Sequence, residues 1–286
     1  MKRITVFGAT GMLGTPVTKQ LIKAGFQVTA LVRDVQKAKR LFPIGVTFIK
    51  GDLQDPAAIR QALEHADGLY ISLHSQYKEK AHGFATEREG LDNILIEAKA
   101  SQVRQVIFLS SFLARNYQGG WWVFQAKKSG IQKIKNSGIP YTIFYPSNFF
   151  ENFHNGMIRG NSVTILAHPE DHPYYWISGA DFGNQVVQAF IQPHAISKEY
   201  PAQGPEALTY TQAAEQFANH YPTKNLKVSK SPFSVLKFIS LFSPQIKFLA
   251  QLADVSARNI ETFESESTWK DLGKPETTIA MFATQP

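Results

Sequence analysis

Three glycines and two cations carry the chemistry that can be read directly from this chain. Gly8, Gly11 and Gly14 are spaced G-x-x-G-x-x-G in RITVFGATGMLG, after a short apolar run and before a stretch of helical periodicity. A dinucleotide pyrophosphate needs backbone N–H donors at a helix amino terminus and no β-carbon in its approach, and glycine at these places supplies both. Thr10, Met12 and Leu13 complete this candidate pyrophosphate loop. No Gly-Lys-Ser/Thr follows it, so the loop is not a Walker motif. Lys127 lies in WVFQAKKSG. If that stretch opens a helix beside a nucleotide-binding sheet, its ammonium stands where a reductase could use it.

The second strand-like run ends Leu31-Val32-Arg33-Asp34. A carboxylate there suits the ribose hydroxyls of NAD, whereas an arginine suits the extra phosphate of NADP. Asp34 lies 20 residues beyond Gly14 but also opens DVQK, where it reads as a helix cap. The expectation is therefore NADP(H), with Arg33 and its neighbour Lys37 facing the 2′-phosphate as charge-assisted donors. Asp52 and Leu53, in KGDL, would border the adenine; Asp52 reads equally as a turn cap ahead of Pro56.

In open α/β sheets the ligand lies beyond the carboxyl ends of the strands. Four segments fall there: Leu73-His74-Ser75, Ser110-Ser111-Phe112, Lys127, and Pro146-Ser147-Asn148-Phe149. Lys127 and Ser110 are the catalytic candidates. Ser110 or Ser111 could hydrogen-bond a substrate carbonyl or simply cap the strand. Tyr117 and Tyr145 are candidate proton donors. His74, His154 and His168 are isolated, and an isolated histidine is more often structural than catalytic. No histidine spacing suits a metal, no G-x-S-x-G elbow occurs, and the absence of cysteine excludes thiolate chemistry and disulfides. Trp121, Trp122, Phe149, Phe150, Phe153, Tyr174, Tyr175 and Trp176 crowd the same part of the chain, as an aromatic wall for a flat substrate would.

The elements that must position these residues alternate. Strand-like runs at Arg3–Phe7, FQVTALVR, VTFIKGDL, DGLYISL, QVIFLSS and PYTIFYPS are separated by helical stretches, including Thr15–Ala24 and Ala85–Ser101. Six strands alternating with helices imply parallel pairing and a doubly wound α/β sheet. Residues 1–150 form the expected NADP-binding domain and 151–286 a smaller, partly helical substrate or lid region. Within the latter, a helix at 178–195 should pack back on the sheet. SVLKFISLFSPQIKFLAQLA reads as a lid or core helix pair rather than a lipid-facing one.

The 286 residues, 43% of them hydrophobic, suffice for one large core. No apolar run reaches the ~18 residues that cross a bilayer, and no apolar leader precedes the first strand. Lys and Arg exceed Asp and Glu by 30 − 23 = 7. The excess is scattered along the chain rather than gathered in a block. Between Glu215 and Asp254 there are five lysines and no acid, but widely spaced. The expected protein is cytoplasmic, a monomer or homodimer, with a small-molecule partner and neither nucleic acid nor membrane.

VFGATGMLG, ALVRD, KGDLQDP, SSF, GIPYTIFYPSNFFENF and ADFGNQVVQAF, in this order, resemble the NmrA-like branch of the atypical short-chain dehydrogenase/reductases over roughly residues 2 to 220. The resemblance implies a Rossmann fold and a dinucleotide cofactor. That family includes NADPH-dependent reductases of quinones and aromatic compounds, and also regulators that bind dinucleotides as sensors. Lys127 matches the lysine of the short-chain Tyr-x-x-x-Lys motif, which holds the nicotinamide ribose; Val123 stands in the tyrosine's place. The isoflavone-reductase-like relatives share V-x-x-x-K, and there the lysine handles the proton. On that analogy a partly desolvated Lys127 serves as general acid or base. The resemblance thus implies an NADPH-dependent reductase acting on a quinone or other planar unsaturated or carbonyl substrate. The alternative it leaves is a redox sensor working through a protein partner.

Overall fold

The computed structural model describes residues 2–167 and 171–285; His168 lies outside them. The first half alternates as its periodicity requires: β1 (Arg3–Phe7), α1 (Gly14–Lys23), β2 (Gln27–Val32), α2 (Val35–Leu41), β3 (Val46–Lys50), α3 (Pro56–Leu63), β4 (Gly68–Ile71), α4 (Leu91–Ala100), β5 (Gln105–Leu109), α5 (Phe112–Arg115), α6 (Trp122–Asn136) and β6 (Tyr141–Pro146). The second half adds β7 (Ile158–Arg159), β8 (Ser162–Ala167), β9 (Tyr174–Tyr175), α7 (Gly179–Ile191), β10 (Lys198–Ala202), β11 (Ala207–Leu208), α8 (Tyr210–His220), β12 (Lys227–Pro232), α9 (Phe233–Ile239), α10 (Pro244–Ala257), α11 (Glu266–Leu272) and α12 (Ile279–Ala283).

The main sheet runs β10-β6-β5-β4-β1-β2-β3, all parallel. Helices cover both faces, so its central strands are buried along their whole length: every residue of β4 and β5 is inside. One apolar layer joins Ile4, Val6, Val17, Leu21, Phe182 and Val186, because α1 and α7 pack together on that face. The opposite layer joins Leu69, Ile94, Val106, Phe124 and Ile131 beneath α4 and α6. The sheet has seven strands, not six: Tyr200 and its neighbours in β10 return to pair with β6. The run EYPAQ reads as a strand in the sequence, but its place in the main sheet depends on a partner far back in the chain.

A third core, with Phe150, Phe153, Trp176, Phe217 and Phe282, sits under α8, β8 and α12. These rings contact one another, with Phe153 and Phe217 stacked 4.6 Å apart. The expected helix Ala85–Ser101 is also broken in two. Thr86–Gly90 form a wider π turn before α4 begins at Leu91. Such a turn shifts the register of the side chains it carries. Among the described residues no helix is long and apolar enough to cross a membrane.

Candidate active site

The glycine loop joins β1 to α1 at the centre of the sheet, where β1 lies between β2 and β4 and the winding reverses. Gly8 has φ +90°, and a β-carbon on it would stand 2.0 Å from the Ser72 carbonyl oxygen. A β-carbon on Gly14 would meet the Gly8 carbonyl oxygen at the same distance, so α1 can start this close to the strand only with glycine there. Thr15 Oγ1 donates to the Gly11 carbonyl at 2.9 Å and steadies the loop from inside. Among the described residues no side chain caps α1, and no acid lies in its first turn, which leaves its positive end open to an anion. The cradle fits a dinucleotide pyrophosphate. Thr10, Met12 and Leu13 are half-buried around it.

Asp34 caps α2, its carboxylate accepting the Lys37 N–H at 2.9 Å. Arg33 is exposed at the end of β2 and makes no ion pair among the described residues, so its guanidinium is free for a phosphate. Asp52 accepts the Gln54 N–H at 2.8 Å, a local turn, while the cap of α3 is Asp55. Leu53 is held by its carbonyl, which accepts from Asn93 Nδ2 at 2.8 Å.

At the chemical end, Lys127 does not stand alone. Its ammonium donates to Glu87 Oε1, and both side chains are nearly buried, 12% and 4% exposed. The other Glu87 oxygen accepts from Ser75 N–H at 2.9 Å and Ser75 Oγ–H at 2.6 Å. Glu87 belongs to the π turn, whose register brings it under α6. The buried carboxylate in contact with it fixes the position of this ammonium. Val123, one turn earlier on α6, is fully packed.

His74 borders the pair. It keeps exposed surface, yet protein crowds it on the inner side, its ring meeting Phe248 edge-on at 6.3 Å. Burial first, and the Lys127 charge second, hold its imidazole below the usual histidine range. Phe248, on α10, also packs against Trp121 at 5.1 Å, so α10 roofs this corner. Leu73 is buried in the sheet's second apolar layer.

Ser110 ends β5. Its N–H completes the ladder to the Phe144 carbonyl at 2.9 Å, but its hydroxyl is buried without a hydrogen-bond partner among the described residues. A strand cap would have used that hydroxyl. Ser111 precedes α5 and does not cap it through its side chain.

The last segment is more structural than its position suggested. Ser147 Oγ donates to Glu261 Oε2 at 2.6 Å, and Asn148 Oδ1 accepts from the Tyr210 hydroxyl at 3.2 Å. Phe149 packs on Phe182 in the first apolar layer, leaving only its backbone for a ligand. Pro146 is buried at the end of β6. Of the two candidate tyrosines, Tyr145 gives its proton to Glu199, whereas the Tyr117 hydroxyl accepts the Trp121 N–H at 3.1 Å. His154 is exposed at the edge of the third core, its ring against Phe217, Tyr221 and Phe282, and partial burial lowers its pKa. Phe150, Phe153 and Trp176 are core as well; Trp121, Trp122 and Tyr175 keep part of their surface.

Sequence reasoning passed over two carboxylates. Glu87 sits in TEREG without any motif to mark it, and Glu261 reaches Ser147 across 114 residues of chain. Burial raises Glu261 above the ordinary carboxylate range, while Ser147 and Gln203 hydrogen bonds oppose that.

The model of the NmrA-like family matches residues 1–270. The chain belongs to this family. Across 97% of this NmrA-like chain and 96% of the relative, it is 26% identical to quinone oxidoreductase 2 of Escherichia coli. It is 25% identical to the photosystem II assembly factor Ycf39 of a Synechocystis strain, over 84% of this chain and 74% of that protein. Among solved structures, the NADPH-dependent quinone oxidoreductase of Escherichia coli, complexed with NADPH, superposes with a TM-score of 0.77 at 24% identity, covering 98% of both chains. That superposition agrees with the seven-stranded α/β architecture of this NmrA-like protein.

Proposed function

We propose that this NmrA-like protein is an NADPH-dependent reductase that transfers hydride to a quinone or another planar unsaturated or carbonyl compound. One observation carries the reading: beside a glycine cradle open to pyrophosphate, the unpartnered buried hydroxyl of Ser110 and the fixed ammonium of Lys127 border the ends of the neighbouring strands β4 and β5. A bound nicotinamide would supply the hydride. Arg33 holds the 2′-phosphate and the α1 end the pyrophosphate. Lys127, oriented by Glu87, donates hydrogen bonds to the ribose. Ser110 donates to the substrate oxygen on which negative charge develops, where a donor already in place costs no reorganisation. Hydride addition turns a quinone oxygen into a weakly basic phenolate that stays on the ring, and one proton, from Lys127 Nζ or from water, completes the product. The relatives named as quinone oxidoreductases support this substrate class.

The test is NADPH oxidation followed by absorbance with a panel of quinones and aldehydes. Steady turnover with quinones is expected. A second reading, a dinucleotide sensor acting through a protein partner, draws on Lys127 being locked in place and on the similarity to an assembly factor. Tight NADPH binding without turnover, together with a partner released by NADPH, would replace the first reading by the second.

A further inference from the structure

The helix pair α9–α10 roofs the site with one side and leaves the other side apolar. Its inner side is anchored: Phe233, Ala250 and Ala257 are buried, and Phe248 packs on Trp121. Its outer side carries Phe238, Leu241 and Phe242, which are 65%, 75% and 76% exposed, with Val235, Ile239 and Leu249 beside them. Phe238 and Phe242 contact only edge to face, 5.7 Å apart, so they form one projecting ridge. Singly exposed apolar residues are ordinary on a protein surface, but six within fifteen positions on one helical corner are not.

The charge of the segment that carries this ridge says what covers it. Lys224, Lys227, Lys230, Lys237 and Lys247 are exposed, and none makes an ion pair among the described residues. No acid occurs between Glu215 and Asp254. Lysines whose stems flank aromatic and aliphatic side chains suit the boundary between acyl chains and anionic headgroups, the arrangement of a helix lying in an interface. A second copy of the chain fits poorly, because a two-fold contact through this face would set the same unpaired lysines against each other. We propose that the α9–α10 pair docks this protein on an anionic lipid bilayer, with Phe238, Leu241 and Phe242 inserted and the lysines on the headgroups. The same pair reaches His74 and Trp121 from its inner side. If the reductase reading holds, docking brings the site to within one helix layer of the phase in which apolar quinones dissolve; the docking surface itself does not depend on that reading.

The experiment is flotation of the full chain with vesicles, without substrate or turnover. Vesicles of phosphatidylcholine with phosphatidylglycerol should carry the protein up, those of phosphatidylcholine alone should not, and added salt should weaken the binding. Phe238→Asp with Phe242→Asp, and separately Lys237→Glu with Lys247→Glu, should each lower vesicle affinity about tenfold. Melting temperature and NADPH affinity should be unchanged in both. Failure of the wild type to float with anionic vesicles overturns the proposal. So does equal flotation of the variants, or a dimer in solution that Phe238→Asp abolishes. NADPH oxidation, assayed apart from vesicles, reports on the reductase reading alone.

Discussion

Lys127 and Glu87 form a buried ion pair at the carboxyl edge of the sheet, and Ser75 closes it by giving two hydrogen bonds to the second carboxylate oxygen. Removing one member of such a pair strands the other charge, which typically costs about 3–5 kcal/mol. Glu87→Gln retains the Ser75 contact in part, so a loss of about 2–3 kcal/mol in urea unfolding is expected. The double variant Glu87→Gln/Lys127→Met should lose less than the two single changes summed. Additive losses would show that the two groups are not coupled.

Ser110 offers a separate measurement, in which stability and activity move in opposite directions. A buried hydroxyl without a partner costs the fold its desolvation, so Ser110→Ala should leave stability unchanged or raise it by about 1 kcal/mol. The same change removes the donor proposed for the substrate oxygen, and kcat should fall about 10²-fold with little effect on NADPH affinity. A destabilised variant with full turnover would assign the hydroxyl to the core instead.

Arg33 ends β2 beside a capped helix, and its selectivity is a matter of one phosphate. Arg33→Ala should weaken NADPH binding about 10- to 100-fold and NADH binding hardly at all, as expected for a lost charge-assisted contact. Titration calorimetry with both cofactors decides it: equal losses would remove Arg33 from the 2′-phosphate.

Local physics explains which parts of the site were legible in the sequence. Asp34 could be read as a cap because a cap and its partner lie three residues apart. The glycine loop could be read because the steric demand at Gly8 and Gly14 is met within the same turn and by the adjacent strand. Glu87 was hidden for the opposite reason. In a regular helix from Ala85 its direction would differ, and only the π turn sets it against Lys127 on another helix. Phe149, Phe150 and Phe153 show the limit of counting aromatics. Their clustering in sequence is the same whether they line a pocket or fill a core, and here the strands and helices that arrive later in the chain bury them. β10 likewise became a strand of the main sheet through pairing with β6, a contact that periodicity within β10 does not contain.

Glu151 gives the pH dependence. Its Oε1 accepts the Gly179 N–H at 2.8 Å, close to Pro16 at the start of α1, while its Oε2 is buried without a partner among the described residues. Burial, with the nearby Asp181 adding to it, pushes this carboxyl up to about 7 from an ordinary 4.5, against the lowering effect of the Gly179 and its own backbone N–H groups. The sign follows from linkage. Below the ordinary value the side chain is neutral both folded and unfolded and contributes nothing. Between 4.5 and about 7 the unfolded chain ionises while the folded one holds its proton, so stability falls as pH rises; above about 7 the penalty is constant. With partial solvent access it amounts to about 2 kcal/mol. Glu151→Gln removes the titration while keeping an acceptor for Gly179. It should therefore melt higher than the wild type at pH about 8 and nearly with it at pH about 4.5. A Glu151→Gln curve parallel to the wild type across that range would show that the carboxyl titrates in the folded protein as it does in water.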